Sequence, residues 1–292
     1  MPSPAVAKLS SAFVGIMRSL HCERVQLLSV LPSSQHPLLP LPIDAIADTS
    51  KNNHTPLAPS EIQTTFLESG ISKVAFIRHG NTAPAPIDFE RTLTDLGRAQ
   101  SRAAGASYGI DLYPFCDEAL CSSAPRCIET ATLFLKSLEE TMQQDNHGEY
   151  AMPKLSLQDD LYDGTMQPEG SRLFKKIGYA PVRSYLDNEN QDDAEAARIV
   201  LGNYARSSLD TMFNAATKER NHNATPGVDV CRTLLFFAHA VYLPSAALCL
   251  AAALDCNNGM DLILDTNTKE AEGYCIDIDV DKENVSLLRR PT

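Results

Sequence analysis

The sequence is short of positive charge: 25 Lys and Arg stand against 37 Asp and Glu, for a formal net charge of −12. Nucleic acids and anionic membranes are bound through a basic footprint, so neither is expected as a partner. A phosphate-bearing ligand would have to be held by a few local cations. Long apolar runs are missing as well. None reaches the roughly 18–20 residues of a membrane-spanning helix. The longest candidate, residues 241–254, has the length of a buried helix. The eight cysteines are scattered, with no CxxC pair and no zinc-ligand spacing. A chain of this size needs no disulfide or metal staple, and its thiols read as buried groups in a reducing compartment. No internal repeat is present.

The 292 residues and 31.9 kDa accommodate one large or two small domains of roughly 100–200 residues each. An apolar content of 43% with 21% charged residues is ordinary for a globular chain and excludes wholesale disorder. The first sixty residues differ from the rest. They hold eight of the eighteen prolines, and residues 31–42 read LPSSQHPLLPLP. Glu23 is the only acid before Asp44, against Lys8, Arg18 and Arg24. Such an acid-poor, Ser-containing start with spaced basic residues reads either as an organelle transit peptide or as an untargeted disordered tail. The expected division is a tail over residues 1–70 and a folded domain over 71–292. The expected location is the cytoplasm or, with a transit peptide, a mitochondrion or plastid.

Residues 73–77 (KVAFI) are a short β-branched and aromatic run, the pattern of a buried strand. The run leads into Arg78-His79-Gly80 and a Pro-rich loop up to Arg91. Thr94 is placed to N-cap a helix over 95–108, with Gly109 beyond its end. A strand over 118–122 follows, then a helix over 126–141 opened by Pro125, with Ile128, Ala131, Leu135 and Leu138 at helical spacing. After a weak strand over 154–157, an irregular acidic insertion is expected through Asp193, with 187–195 a solvated loop. A long helix over 194–216 carries a stripe of Leu209, Met212, Phe213 and Ala216. Residues 231–237 (CRTLLFF) make the most hydrophobic strand, with His239 and a helix over 244–254 behind it. A last strand over 274–280 alternates Ile276, Ile278 and Val280 above one solvated face. Strands alternating with helices predict an α/β three-layer sandwich, a mainly parallel central sheet flanked by helices.

In an open α/β sheet, ligands bind beyond the carboxyl ends of the strands. Arg78 and His79 follow the first strand, Ser122, Ser123 and Arg126 the second, and His239 the late hydrophobic one. Two arginines and two histidines therefore collect on one rim, where packing alone calls for neither residue type. The segment Phe76-Ile77-Arg78-His79-Gly80-Asn81-Thr82 resembles the RHG signature of the histidine phosphatase (phosphoglycerate mutase-like) superfamily. Leu93-Thr94-Asp95-Leu96-Gly97-Arg98-Ala99-Gln100 is similar to the LTxxGxxQA segment that follows it there. Residues 121–131 (CSSAPRCIETA) are similar to the family's SSPxxRxxxTA element, from which Cys121 and Ser123 depart. Phe237-Ala238-His239 stands where the second histidine is expected. The four motifs occur in family order over residues 73–280, and Leu161-Tyr162-Asp163-Gly164 looks closer to the SixA-like branch than to the mutases. The insertion from Thr165 is longer than that branch carries.

The resemblance implies a phosphomonoesterase that hydrolyses a phosphate ester or phosphoramidate through a phosphohistidine on His79. Arg78 and Arg126 would clamp the non-bridging oxygens with bidentate, charge-assisted bonds. His239 would donate to an oxygen whose charge grows as phosphorus becomes trigonal. These cations would replace a metal, and no cofactor is implied. The proton donor is open among Asp159, Asp160 and Asp163; Asp163 is favoured because Gly164 would hold it on a tight loop near the rim. The family's phosphate-contacting Asn has no counterpart, Ala85 occupying that stretch, and Asn81 or Thr82 would serve instead. The expected partner is a small phosphorylated substrate or a phosphoprotein. The alternatives are phosphoglycerate mutase-type transfer, and a catalytically idle module that recognises phosphate.

Three other signals are set aside. Cys121 and Arg126 are separated by four residues, where the cysteine-phosphatase loop requires five. Asp277, Asp279 and Asp281 have the first spacings of a calcium loop, but Lys282 replaces the Gly it needs. Asn223-Ala224-Thr225 is a glycosylation sequon by pattern only.

Overall fold

The computed structural model describes residues 59–144, 152–162, 168–222, 231–254, 256–278 and 285–291. The run 73–77 is the centre of strand β1 (Ile71–Arg78), in which every side chain from Val74 onward is buried. Continuous burial is what a strand covered on both faces requires, and it explains why this segment does not alternate. Strands β2 (Glu118–Ser122), β3 (Lys154–Gln158) and β4 (Arg232–Ala238) join it, followed by β5 (Gly273–Asp277) and β6 (Val285–Leu288). The sheet order is β3-β2-β4-β1-β5-β6. The first four strands are mutually parallel, while β5 pairs antiparallel with both β1 and β6.

Alternate residues of each strand feed two cores. On one face, Ala75, Ile77, Cys121, Leu235 and Phe237 pack against helices α2 (Asp95–Ser107) and α3 (Pro125–Gln144). On the other, Val74, Phe76, Leu120, Leu234 and Phe236 meet α1 (Pro59–Glu68), α6 (Gln191–His222), α7 (Tyr242–Ala253) and α8 (Asn257–Asp265). The result is the α/β three-layer sandwich, mainly parallel in its sheet. The apolar run 241–254 is helix α7, all of whose residues are buried. Among the described residues, no helix is long and apolar enough to cross a membrane.

The structure corrects several expectations. The segment expected as tail up to residue 70 ends in α1, whose Ile62 and Phe66 are fully buried. The insertion before Asp193 is not irregular: it holds α4 (Pro168–Ile177) and α5 (Val182–Leu186). Nor is 187–195 a solvated loop. Asp193 is buried in the first turn of α6, where a carboxylate suits the helix dipole, and it pairs with Arg172 at 2.6 Å and with Lys176. The last long strand is shorter than expected and buried on both faces from Gly273 to Ile276, because Tyr274 and Ile276 enter one core and Cys275 the other. Asp279, Asp281 and the Asn223 sequon lie outside the described residues.

Thr94 caps α2 as expected, its hydroxyl accepting from the Gly97 amide at 3.0 Å. The helix start lies directly on the loop after β1: a Cβ on Gly97 would overlap the Asn81 carbonyl oxygen. Gly97→Ala should therefore destabilise the protein by about 1–3 kcal/mol through overpacking, read as a lower urea midpoint at unchanged m-value.

Candidate active site

The carboxyl ends of β1, β2 and β4 deliver Arg78, His79, Ser122 and His239 to one buried cluster, with Arg126 supplied from the first turn of α3. The backbone fixes the first two. Arg78 donates its amide to Glu272 O at 2.9 Å and His79 donates to Ala238 O at 3.1 Å, so the end of β1 is held from both neighbouring strands. The Gly80 amide donates to Thr130 Oγ1 at 3.0 Å, and the Thr130 hydroxyl donates to Arg126 O at 2.7 Å. One threonine thus ties the loop after β1 to the helix that carries the second arginine. The imidazoles of His79 and His239 lie 5.4 Å apart between centroids.

His79 Nδ1 lies 2.8 Å from Gly80 O. A carbonyl only accepts, so Nδ1 carries the proton and Nε2 keeps its lone pair. Burial, then the neighbouring Arg78 and Arg126 charges, lowers the His79 pKa to about 3. His239 is held well below its usual range by burial, Arg126 and His79. Both rings are neutral near pH 7. His239 Nε2 lies 2.8 Å from Ser122 Oγ, which sets the ring's orientation, while Cys127 Sγ packs 3.7 Å from the same nitrogen. Burial pushes the Cys127 thiol up to about 12, so it stays protonated.

The two guanidinium groups are buried but incompletely paired. Arg78 donates to Thr268 O at 2.6 Å and to Glu270 Oε1 at 3.3 Å. Arg126 donates to Asp88 O at 2.6 Å and to Asp88 Oδ2 at 2.7 Å. In each, the Nε–H is buried with no acceptor among the described residues. Buried donors are nearly always satisfied, so each of these Nε–H groups lacks, among the described residues, the acceptor that burial calls for, as do those of Arg198 and Arg206. A tyrosine ring covers each guanidinium: Tyr179 lies 4.9 Å from Arg78, and Tyr162 lies 5.6 Å from Arg126.

Asp88 is the group the sequence reading did not weigh. It also pairs with Arg91 at 3.2 Å and accepts from the Tyr162 hydroxyl at 3.3 Å. Partial burial would raise its pKa, but Arg126 and Arg91 outweigh that and hold the carboxylate below its ordinary range. Its only signal in sequence is a position five residues before the motif that begins at Leu93, and no local pattern brings it to an arginine 38 residues away. Asn81 faces the start of α2: its Oδ1 accepts from the Thr94 hydroxyl at 2.8 Å, and its amide donates to Gln100 Oε1 at 2.9 Å. Asp159 and Asp160 are exposed beyond the end of β3. Asp163 lies outside the described residues.

No family model and no curated protein matches the chain. Several solved structures do. A phosphoserine phosphatase of Entamoeba histolytica, in complex with 3-phosphoglyceric acid, is 12% identical over 76% of this chain and 98% of its own, with a TM-score of 0.45. A mycobacterial glucosyl-3-phosphoglycerate phosphatase is 16% identical over 76% and 98%, with a TM-score of 0.40. The protein histidine phosphatase SixA, complexed with tungstate, is 13% identical over 74% and 93%, with a TM-score of 0.34.

The neutral histidines have a pH signature. In the unfolded chain a histidine takes up a proton near pH 6.5; in the fold His79 does so only near pH 3. The unfolded state binds more protons between these values, so stability should fall as pH drops below 6.5. The urea midpoint is expected to decrease from pH 7 to pH 5, and His79→Gln should make that decrease smaller. The NMR shift of the His79 ring should stay flat from pH 5 to 9; a titration centred near 6.5 would contradict the buried neutral imidazole.

Proposed function

We propose that the chain is a phosphomonoesterase of the histidine phosphatase type, moving the phosphoryl group of a phosphate ester or phosphoramidate onto His79 and then onto water. The observation that supports this reading best is the pair of guanidinium groups buried at one rim, set close enough to His79 to depress its basicity. An anion with several oxygens suits those donors, and an imidazole with a free Nε2 lone pair suits attack on phosphorus.

In the first step Nε2 of His79 forms a bond to phosphorus and the bond to the ester oxygen breaks. The ring becomes an imidazolium, and the Gly80 carbonyl, already accepting from Nδ1–H, stabilises the charge. Arg78 and Arg126 hold the non-bridging oxygens, and His239 donates to one of them. The leaving alkoxide takes a proton from a carboxylic acid. In the second step water attacks phosphorus, the carboxylate takes the water's proton, and inorganic phosphate leaves with His79 regenerated.

Asp88 is our candidate for that acid beside Asp163. An incoming phosphate takes over Arg126 and leaves Asp88 facing a second anion, which favours its protonated form. In the resting enzyme the Asp88 carboxylate competes with phosphate for Arg126. The partner this supports is a small phosphorylated molecule or a phosphoprotein side chain.

His79→Ala should abolish release of phosphate from an aryl phosphate, whose leaving group needs little protonation; an unchanged rate would end the phosphatase reading. Asp88→Asn should slow an alkyl phosphate by about a hundredfold or more and the aryl ester far less. The reverse ranking, with Asp163→Asn showing the selective loss, would move the acid to Asp163. Asp88→Asn should also tighten inorganic phosphate severalfold, measured by calorimetry, because Arg126 is freed of its competing carboxylate.

A further inference from the structure

The surroundings of the arginines bear on the alcohol half of the ester. Three large apolar side chains near them are left open to solvent: Ile87 is 55% exposed, Phe89 37% and Tyr179 50%. Ile87 and Phe89 flank Asp88, the residue that binds Arg126, while Tyr179 covers Arg78. Behind Phe89 lies Tyr162, with ring centroids 4.9 Å apart, and Tyr162 meets His239 edge-on at 5.6 Å. Phe174 supports Tyr179 from below at 4.8 Å, and Asn267 anchors the Tyr179 carbonyl at 2.9 Å. Exposed apolar groups gathered at one place mark a contact surface. Here Ile87 and Phe89 sit on the loop that carries Asp88 to Arg126, and Tyr179 lies on Arg78, so each stands beside one arginine of the candidate phosphate site.

Charge points the same way. Arg78 is paired with Glu270, and Arg91 and Arg126 are both paired with Asp88. A single phosphate can exchange for one carboxylate, but a second anionic group on the substrate would meet cations already engaged beside Asp88, Glu90 and Glu270. The net charge of −12 adds to that repulsion.

We propose that the ester's alcohol is aromatic: a monophosphate whose ring packs against the exposed Phe89 and Tyr179, while its phosphate sits on Arg78 and Arg126. This rests on the phosphatase reading. Aromatic faces stack offset or edge-on with another ring, and both arrangements are available on partly exposed Phe89 and Tyr179.

The test must keep leaving-group chemistry constant, so 2-phenylethyl phosphate is compared with propyl phosphate, whose alcohols are similarly poor leaving groups. We expect kcat/KM to favour the phenylethyl ester by roughly tenfold or more, mainly through KM, and the ratio to approach one in Phe89→Ser and in Tyr179→Ser. Phenylphosphonate should likewise compete better than propylphosphonate against wild type, a measurement that needs no variant. Equal, His79-dependent turnover of both esters would overturn the aromatic assignment and leave the phosphatase reading standing. A preference untouched by either substitution would overturn the placement of the ring. No His79-dependent turnover of either ester would overturn both readings. Free phosphotyrosine and a tyrosine-phosphorylated peptide, run in parallel, separate the two sources of such a ring: faster turnover of the peptide assigns it to a protein, and faster turnover of the amino acid to a small molecule.

Discussion

A guanidinium group taken out of water must keep its hydrogen bonds, because a buried donor without an acceptor costs about 1–3 kcal/mol. This protein buries two of them within reach of one imidazole, Arg78 at the end of β1 and Arg126 at the start of α3. Much of the local structure answers that demand. Thr268 O and Glu270 reach Arg78 from the segment before β5, and Asp88 brings both its carbonyl and its carboxylate to Arg126 from the loop after β1. The answer is incomplete, since each Nε–H is left over. The same two charges, added to burial, keep His79 neutral, with the lone pair of Nε2 retained.

The scaffold holds this arrangement from the main chain upward. β1 and β4 are adjacent and parallel, with Ile77 opposite Phe237 and Arg78 opposite Ala238, so His79 and His239 emerge side by side. Thr130 and Gln100 then pin the Gly80 and Asn81 amides from two different helices. Neither contacts the cluster of arginines and histidines through a charge; both set the path of the chain from which His79 projects. Asp88, by contrast, rides on a loop closed by a 3-10 turn and by Arg91. Under the proposed phosphatase reading, a carboxylate that leaves Arg126 for phosphate to enter is better carried by such a loop than by a strand.

Much of this was legible in the residues. The strands over 73–77 and 231–237 carry β-branched and aromatic residues in apolar runs, that over 118–122 is a short run around Ala119, Leu120 and Cys121, and the Arg or His at or just beyond their ends stood out against that apolarity. Thr94 as a cap and 241–254 as a buried helix followed from local chemistry alone. The segment 165–193 misled because its charges suggest solvation. Arg172 and Lys176 lie one turn apart on α4 and converge on Asp193, so acid and base cancel in space and not in sequence. α1 was hidden by the proline-rich stretch before it, although Ile62 and Phe66 have helical spacing. Asp88 and Tyr179 left no trace that singled them out, and Tyr162 stood out only within the motif over 161–164, since each owes its position to a partner far along the chain.

The sequence by itself determined the class of fold and four of the residues on its rim. Strand periodicity, helix caps and the ends of apolar runs are written in neighbouring residues and need only local physics to read. The tertiary structure decided what those residues are chemically. Which nitrogen of His79 bears the proton depends on the carbonyl it meets in the folded turn, and how basic it is depends on burial with Arg78 and Arg126 beside it. That Arg126 rests on a carboxylate, and that tyrosines roof both guanidiniums, depends on loops brought together from three separate segments. Hydrogen bonds and desolvation act between groups in space, and for these groups the distance along the chain carries no information about them.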